Sequence, residues 1–259
     1  MAATGRRSAL LAAWATAFAQ GRVDAQTAVD AVCAGDEPHR VEQLDRGADL
    51  LALFTELRIR GAQGLRLVLP VPGDPRGLAG PGPFTDAALA AGEAVRMQAG
   101  PGRPGFGAVP VIARHGTEVD GYAVTVVWRT FPVEVAGPDP AGAGRQAERE
   151  LGEAIRAATA TMIRLDAARL APEAAQALER LRNQRGLPLP AGFDPAARSL
   201  LAQAERLAAI VELAAADDGA AVDRATTTHR RELLRELAAA ARRARCAAVN
   251  APLDRLQER

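Results

Sequence analysis

The sequence predicts an α+β protein, with N-terminal helices packed on a small, mainly antiparallel sheet, followed by an antiparallel α-helical bundle. Three observations carry this expectation. Amphipathic helical patterns come first. The apolar runs from Leu65 onward then follow a βαβββ order, which needs no repeated helical crossovers. Beyond "AGPDPAGAG", Ala136 to Gly144, the apolar period changes from two to 3.6. That Pro/Gly-rich stretch, 136–144, is the expected linker between an α+β domain at 1–135 and a bundle at 145–250, with a frayed tail at 251–259.

The first helix is expected at about 6–20, where Leu10, Leu11, Trp14 and Phe18 share a face. Arg6, Arg7, the apolar stretch and the A-x-A triplet at Ala17 to Ala19 also suit an export signal. The stretch is mostly alanine, however, which inserts weakly into membranes, so a helix in a cytoplasmic protein is preferred. Asp24 can cap a second helix at about 24–34, whose Ala25, Ala28, Val29 and Val32 face one way. A third, at about 44–60, has Leu44, Ala48, Leu51 and Phe54 as its stripe, with Gly61 or Gly64 to end it. Three helices thus precede any strand.

Strands follow at about 65–70, 93–98, 108–114 and 122–131. "LRLVLPV" alternates leucines, and Pro70, unable to donate a ladder bond, ends the strand or sets it at an edge. Phe84 to Ala91 reads as a short helix capped by Thr85 or Asp86 and closed by Gly92. Asp120-Gly121 is turn chemistry for a hairpin between the last two strands. In the bundle, Leu151, Ile155, Ala158, Met162 and Leu165 form one seam, and Pro172 to Gly186 brackets the next helix. Asp194 then caps a helix striped by Leu200, Ala204, Leu207, Val211 and Ala214. The long last helix, about 220–249, has Leu233, Leu237, Ala240, Ala241 and Ala244 as its seam, and its alanines admit a close neighbour.

Composition narrows the chemistry. The 259 residues are 48% hydrophobic and 24% charged, enough for one or two ordinary cores. All 32 basic residues are arginine. Without lysine there is no Schiff-base amine, no lysine general base and no Walker-type phosphate lysine. The wealth of Ala, Gly, Arg and Pro fits a GC-rich bacterial genome. A net charge near +1 argues against a globally basic nucleic-acid binder, and 3% aromatic residues leave few stacking platforms. Cys33 and Cys246 match no metal or redox spacing, which leaves two separate thiols or one long-range disulfide.

The richest loop is "PVPGDPRGLAGPGPFTD". Arg76, Asp74, Thr85 and Asp86 could converge on an anion beside a helix N-terminus. Pro72, Pro75, Pro81 and Pro83 each remove an N–H donor that such a cradle needs, so a stiff corner is the preferred reading. Among the three histidines, His115 sits at a hairpin turn and His39 in a loop where nothing nearby recruits it. His229, Glu232 and Glu236 share a broad helical face, yet lack the paired Glu-x-x-His of a carboxylate bundle metal site, and no metal or other cofactor is expected. Arg230, Arg231, Arg235, Arg242, Arg243 and Arg245 make a basic patch on the last helix. The only serines, Ser8 and Ser199, fall within helices, and no G-x-S-x-G elbow occurs. Trp14, Tyr122, Trp128 and Phe131 are expected in the core.

Three functions are compatible with these residues. The preferred one is a non-catalytic cytosolic binding or scaffold protein that uses helical surfaces to pair with a partner protein or with itself. The second is an enzyme or anionic-ligand binder using the loop at 72–86. The third is a nucleic-acid accessory protein using the terminal arginines.

Overall fold

The computed structural model describes residues 5–43, 48–78, 80–98, 104–117, 121–133, 143–164, 186–216 and 224–257. The protein is α+β: helices and the strands of a five-stranded mixed sheet occupy the N-terminal part of the chain, and helices follow the last strand. The chain divides into two compact units. One comprises Met1–Asp139, Pro188–Phe193 and Val249–Arg259; the other comprises Pro140–Leu187 and Asp194–Ala248. The expected linker at 136–144 falls largely outside the described residues, as do the helix expected from Pro172 to Gly186 and the turn at Asp120.

In the first unit, α1 (Arg6–Ala19) is buried along almost its whole length, with Leu11, Ala12 and Ala15 fully enclosed. Phe18 stacks on Phe54 at 5.3 Å between ring centroids. In α2 (Ala25–Cys33), the Asp24 carboxylate accepts the Thr27 N–H at 2.8 Å, and Ala28 and Val32 face inward. A short strand, β1 (Arg40–Glu42), follows, so only two helices precede the first strand. Three residues with one inward side chain, Val41, carry too little periodicity to announce a strand; the pairing with a distant partner makes it one.

The third helix, α3 (Leu50–Ile59), starts where Asp49 caps the Ala52 N–H at 2.8 Å, later than the expected Leu44. This start sets the buried stripe at Leu50, Leu53, Phe54 and Leu57, and Leu51 faces outward instead. The strands β2 (Gly64–Val68), β3 (Ala94–Gln98), β4 (Gly105–Thr117) and β5 (Gly121–Val133) complete the sheet in the order β1-β5-β4-β3-β2. All neighbours are antiparallel except β1 and β5. β2 is an edge strand that ends before Pro70.

Between β2 and β3, α4 (Pro83–Ala91) begins with Gly82 as its cap and Pro83 at the first helical position. Thr85 and Asp86 therefore sit inside the first turn rather than capping it, as the fixed φ of proline favours helix entry at N1. Gly92 closes the helix in the left-handed conformation. Phe84 and Ala88 pack on Val68, Ala94 and Val109 across one sheet face. The Phe84 ring lies directly over Gly107, where any Cβ would overlap it.

In the second unit, α5 (Ala143–Arg164), α6 (Pro195–Ala216) and the first part of α7 (Arg224–Gln257) meet around Ala158, Val211, Leu234 and Leu237. Asp194 caps α6 through the Ala197 N–H at 2.8 Å. The inner seam of α5 runs through Ala147, Leu151 and Ala158, so Ile155 is exposed. α7 continues through Pro252 to Gln257 and buries Leu253, where a frayed tail was expected. From Val249 onward α7 belongs to the first unit, and contacts within that unit hold this end in place, as the edge of β2 shows below.

Candidate functional site

The loop before α4 is built from turns. Val71 and Asp74 exchange both backbone bonds, at 3.2 and 2.9 Å, and the Leu78 N–H bonds to Pro75 O at 3.1 Å. Pro72, Gly73, Pro75, Arg76 and Gly77 are exposed. The Arg76 guanidinium pairs with Asp74 at 2.9 Å, so these two expected site residues do come together. Thr85 instead donates its hydroxyl to Gly80 O, and Asp86 lies exposed in the first turn of α4, whose N–H bonds Gly82 O at 3.0 Å.

On α7, His229, Glu232 and Glu236 are all exposed. Among the described residues, no group of three or more His, Cys, Asp or Glu is placed to hold a metal ion. The six arginines split by environment. Arg231 and Arg235 are exposed. Arg230 donates to Ala214 O near the end of α6 at 2.9 Å, Arg243 pairs with Glu150 at 2.8 Å, Arg242 is half-buried and Arg245 is buried. At four of the six positions the arginine is thus at least partly withdrawn from solvent.

A dense polar network lies elsewhere. Arg7 of α1 grips Asp36 with two parallel bonds, at 2.6 and 2.8 Å. Asp36 also meets His39 Nε2 at 3.3 Å, and the Trp128 indole N–H approaches His39 Nδ1 at 3.2 Å. An indole N–H can only donate, so Nδ1 must accept and the imidazole proton sits on Nε2, from which it is donated to Asp36. Burial lowers the His39 pKa, against the opposing pull of Asp36, and keeps the ring neutral. Burial alone would raise the Asp36 carboxyl, but the bonds from Arg7 and His39 outweigh it and hold the group below the usual carboxylate range. Hydrogen bonding to Asp36 in turn raises Arg7. Beside them, Glu93 accepts the Ser8 N–H of α1 at 3.2 Å. Burial pushes up the pKa of the Cys33 thiol, and neither Cys33 nor Cys246 forms a disulfide.

His39 is therefore recruited after all, by a tryptophan 89 residues away. Both of its ring nitrogens are engaged, which suits a fixed structural node and leaves no lone pair for a substrate proton or metal. The only sequence signal was the pairing of a histidine with nearby Asp36.

A different surface is exposed and apolar. β3 pairs with β4 over Gly107 and Ala108. From Val111 to Gly116 every β4 residue is exposed, and across the hairpin Tyr122 and Ala123 are exposed too. Tyr122, expected in the core, has 61% of its surface in solvent, with Val111 at 48% and Ile112 at 40%. The register places Ile112, Arg114 and Gly116 on one face with Val126, Val124 and Tyr122, and Val111, Ala113 and His115 on the other with Val127, Thr125 and Ala123. The hairpin passes beyond the layer that covers the rest of the sheet, so strand alternation there no longer separates inside from outside. The outer edge of β5 is occupied, by β1 at Val127 to Arg129 and by the Glu37 N–H at Val124 O (2.9 Å). The facing edge of β4 receives no strand beyond Ala108 among the described residues.

No helix among the described residues is long and apolar enough to cross a membrane. The model of the Rv1486c-like protein N-terminal domain matches residues 8–144, and that of the Rv1486c-like protein C-terminal domain matches residues 145–246. No curated protein and no solved structure matches the chain. With the two domain models meeting between Gly144 and Arg145 and together spanning most of its length, the chain belongs to the Rv1486c-like protein family.

Proposed function

We propose that this is a non-catalytic binding protein of the bacterial cytoplasm, and that the β4–β5 ribbon is the surface that takes its partner protein. The supporting observation is the run of exposed apolar side chains, Val111, Ile112 and Tyr122, beside a strand edge that no strand among the described residues pairs beyond Ala108. Such an edge accepts an extended segment through backbone bonds, while side chains on the ribbon faces select it. Pro110 offers no N–H, and Arg114 with His115 discourages indiscriminate strand pairing, so the ribbon favours a segment that brings acidic side chains. The preference over helical faces follows from the second unit, where the seams of α5, α6 and α7 are turned toward one another.

The reading is tested by replacing Ile112 with a photo-reactive residue and irradiating cells. One discrete adduct is expected, with its yield cut about tenfold or more by Val111→Glu or Tyr122→Glu, changes at exposed positions that leave the circular dichroism spectrum intact. Equal yields from parent and variants, or no adduct, would rule the ribbon out. An intact response to phosphate compounds that disappears in Arg76→Ala would move the function to the loop at 72–86 instead.

A further inference from the structure

β2 closes one side of the sheet, and an edge strand presents unpaired N–H and C=O groups at alternate residues. Here those residues are Leu65 and Leu67. The Thr16 hydroxyl of α1 accepts the Leu65 N–H at 3.2 Å and donates to Leu65 O at 3.3 Å. Two residues along, the Asn250 side chain accepts the Leu67 N–H at 2.8 Å through Oδ1 and donates to Leu67 O at 3.2 Å through Nδ2. A carboxamide carries the donor and acceptor of a peptide group in one plane, so Asn250 stands where a residue of a sixth strand would pair.

The next helical turn adds a charge. Arg66, between the two leucines, is almost wholly buried; its Nε donates to Gln98 Oε1 at 2.8 Å and its Nη2 meets Asp254 at 2.6 Å. Asn250 and Asp254 are four apart and so project from one side of the helix, with Leu253 fully buried between their levels. Pro252 lacks the N–H that would bond to Ala248 O, which weakens α7 close to the point, between Ala248 and Val249, where the chain passes from one compact unit to the other. Contacts with β2, rather than helix continuity alone, hold the terminal turns.

We propose that the β2 edge is a docking site for a helical segment of the form Asn-x-x-Leu-Asp, and that residues 249–257 of this chain are its resident occupant. The peptide-like amide reads the Leu67 backbone and the carboxylate reads Arg66. Tethering gives the resident segment a high effective concentration, which keeps the site filled.

The test is hydrogen exchange on the full chain carrying Asn250→Asp, an isosteric change that sets a carboxylate oxygen against Leu67 O. Exchange at residues 64–68 and 249–257 should rise about tenfold or more, while residues 230–240 keep the parent rate. A peptide of residues 247–259 with the native sequence should restore protection at 64–68, and the same peptide carrying the substitution should not. Asp254→Asn, a milder change, should show the same pattern at lower amplitude and covers the case in which Asn250→Asp unfolds the first unit. Parent-like exchange at 64–68 in both variants overturns the proposal. So does failure of the native peptide to restore protection, or equal restoration by both peptides.

Discussion

His39 is neutral and enclosed, with Asp36 on one ring nitrogen and Trp128 on the other. Its folded pKa lies below the unfolded value of about 6.5, so below that pH the unfolded chain takes up a proton that the folded chain resists. The contribution to stability is therefore complete above about pH 6.5 and declines as the pH falls, by at most about 1.4 kcal/mol per pH unit for one proton. Asp36, whose folded pKa is also depressed, adds a second loss only near and below the ordinary carboxylate value of about 3.9. Between about pH 6.5 and pH 5 the slope at this network belongs to His39. The urea midpoint of the parent protein should fall across that interval, and His39→Gln, which keeps an N–H for Asp36 but cannot titrate, should flatten the slope even if it lowers the midpoint throughout. An equal slope in both proteins would show that the ring titrates freely. The network was hard to read beforehand because its members come from α1, the loop after α2 and β5. A histidine gains its meaning from the indole that reaches it through the sheet, and no local pattern records that approach.

Elements were legible where their signal is local. Asp24 and Asp194 each precede a helix by the one position from which a carboxylate reaches the N3 amide, and both do so. The start of α3 was missed because Leu44, Ala48, Leu51 and Phe54 also keep helical spacing; the cap at Asp49 decides between that stripe and the one through Leu50 and Leu53. Glycine shows the same dependence on surroundings. Gly107 lies in a strand, where alanine is ordinarily the better residue, but Phe84 covers its face and a methyl group there would overlap the ring. Gly152 lies inside α5, where an added Cβ meets only the movable end of Arg156 at 3.3 Å. Gly107→Ala should accordingly destabilise the first unit by about 1–3 kcal/mol, and Gly152→Ala should stabilise the second by about 0.5–1 kcal/mol. Exchange rates of peptides from β4 and from α5 would measure the two effects separately. Shifts of the same sign would mean that packing around Phe84 does not constrain Gly107.

At the scale of the molecule, the change of apolar period after the sheet was visible in the sequence because each strand and helix keeps its own repeat. The return of the chain end was not. Asn250 lies 183 residues from Leu67, and nothing in "VNAPLD" distinguishes a docked turn from a loose one until the edge it meets is known. The two compact units each enclose apolar residues of their own, and this arrangement has a measurable consequence. Both tryptophans, Trp14 and Trp128, belong to the first unit, so indole fluorescence reports that unit. Most of the residues in α5, α6 and α7 belong to the second, so helical dichroism weights it heavily. Leu237→Ala removes a buried side chain from the cluster with Ala158, Val211 and Leu234, a change that costs about 2–5 kcal/mol in a core that cannot close over the void. With separate cores, the denaturation midpoint followed by dichroism should drop well ahead of the midpoint followed by fluorescence, and the two curves, whatever their spacing in the parent protein, should move apart. If both curves shift by the same amount, the chain unfolds as one cooperative body, and the division into two units is geometric without being thermodynamic.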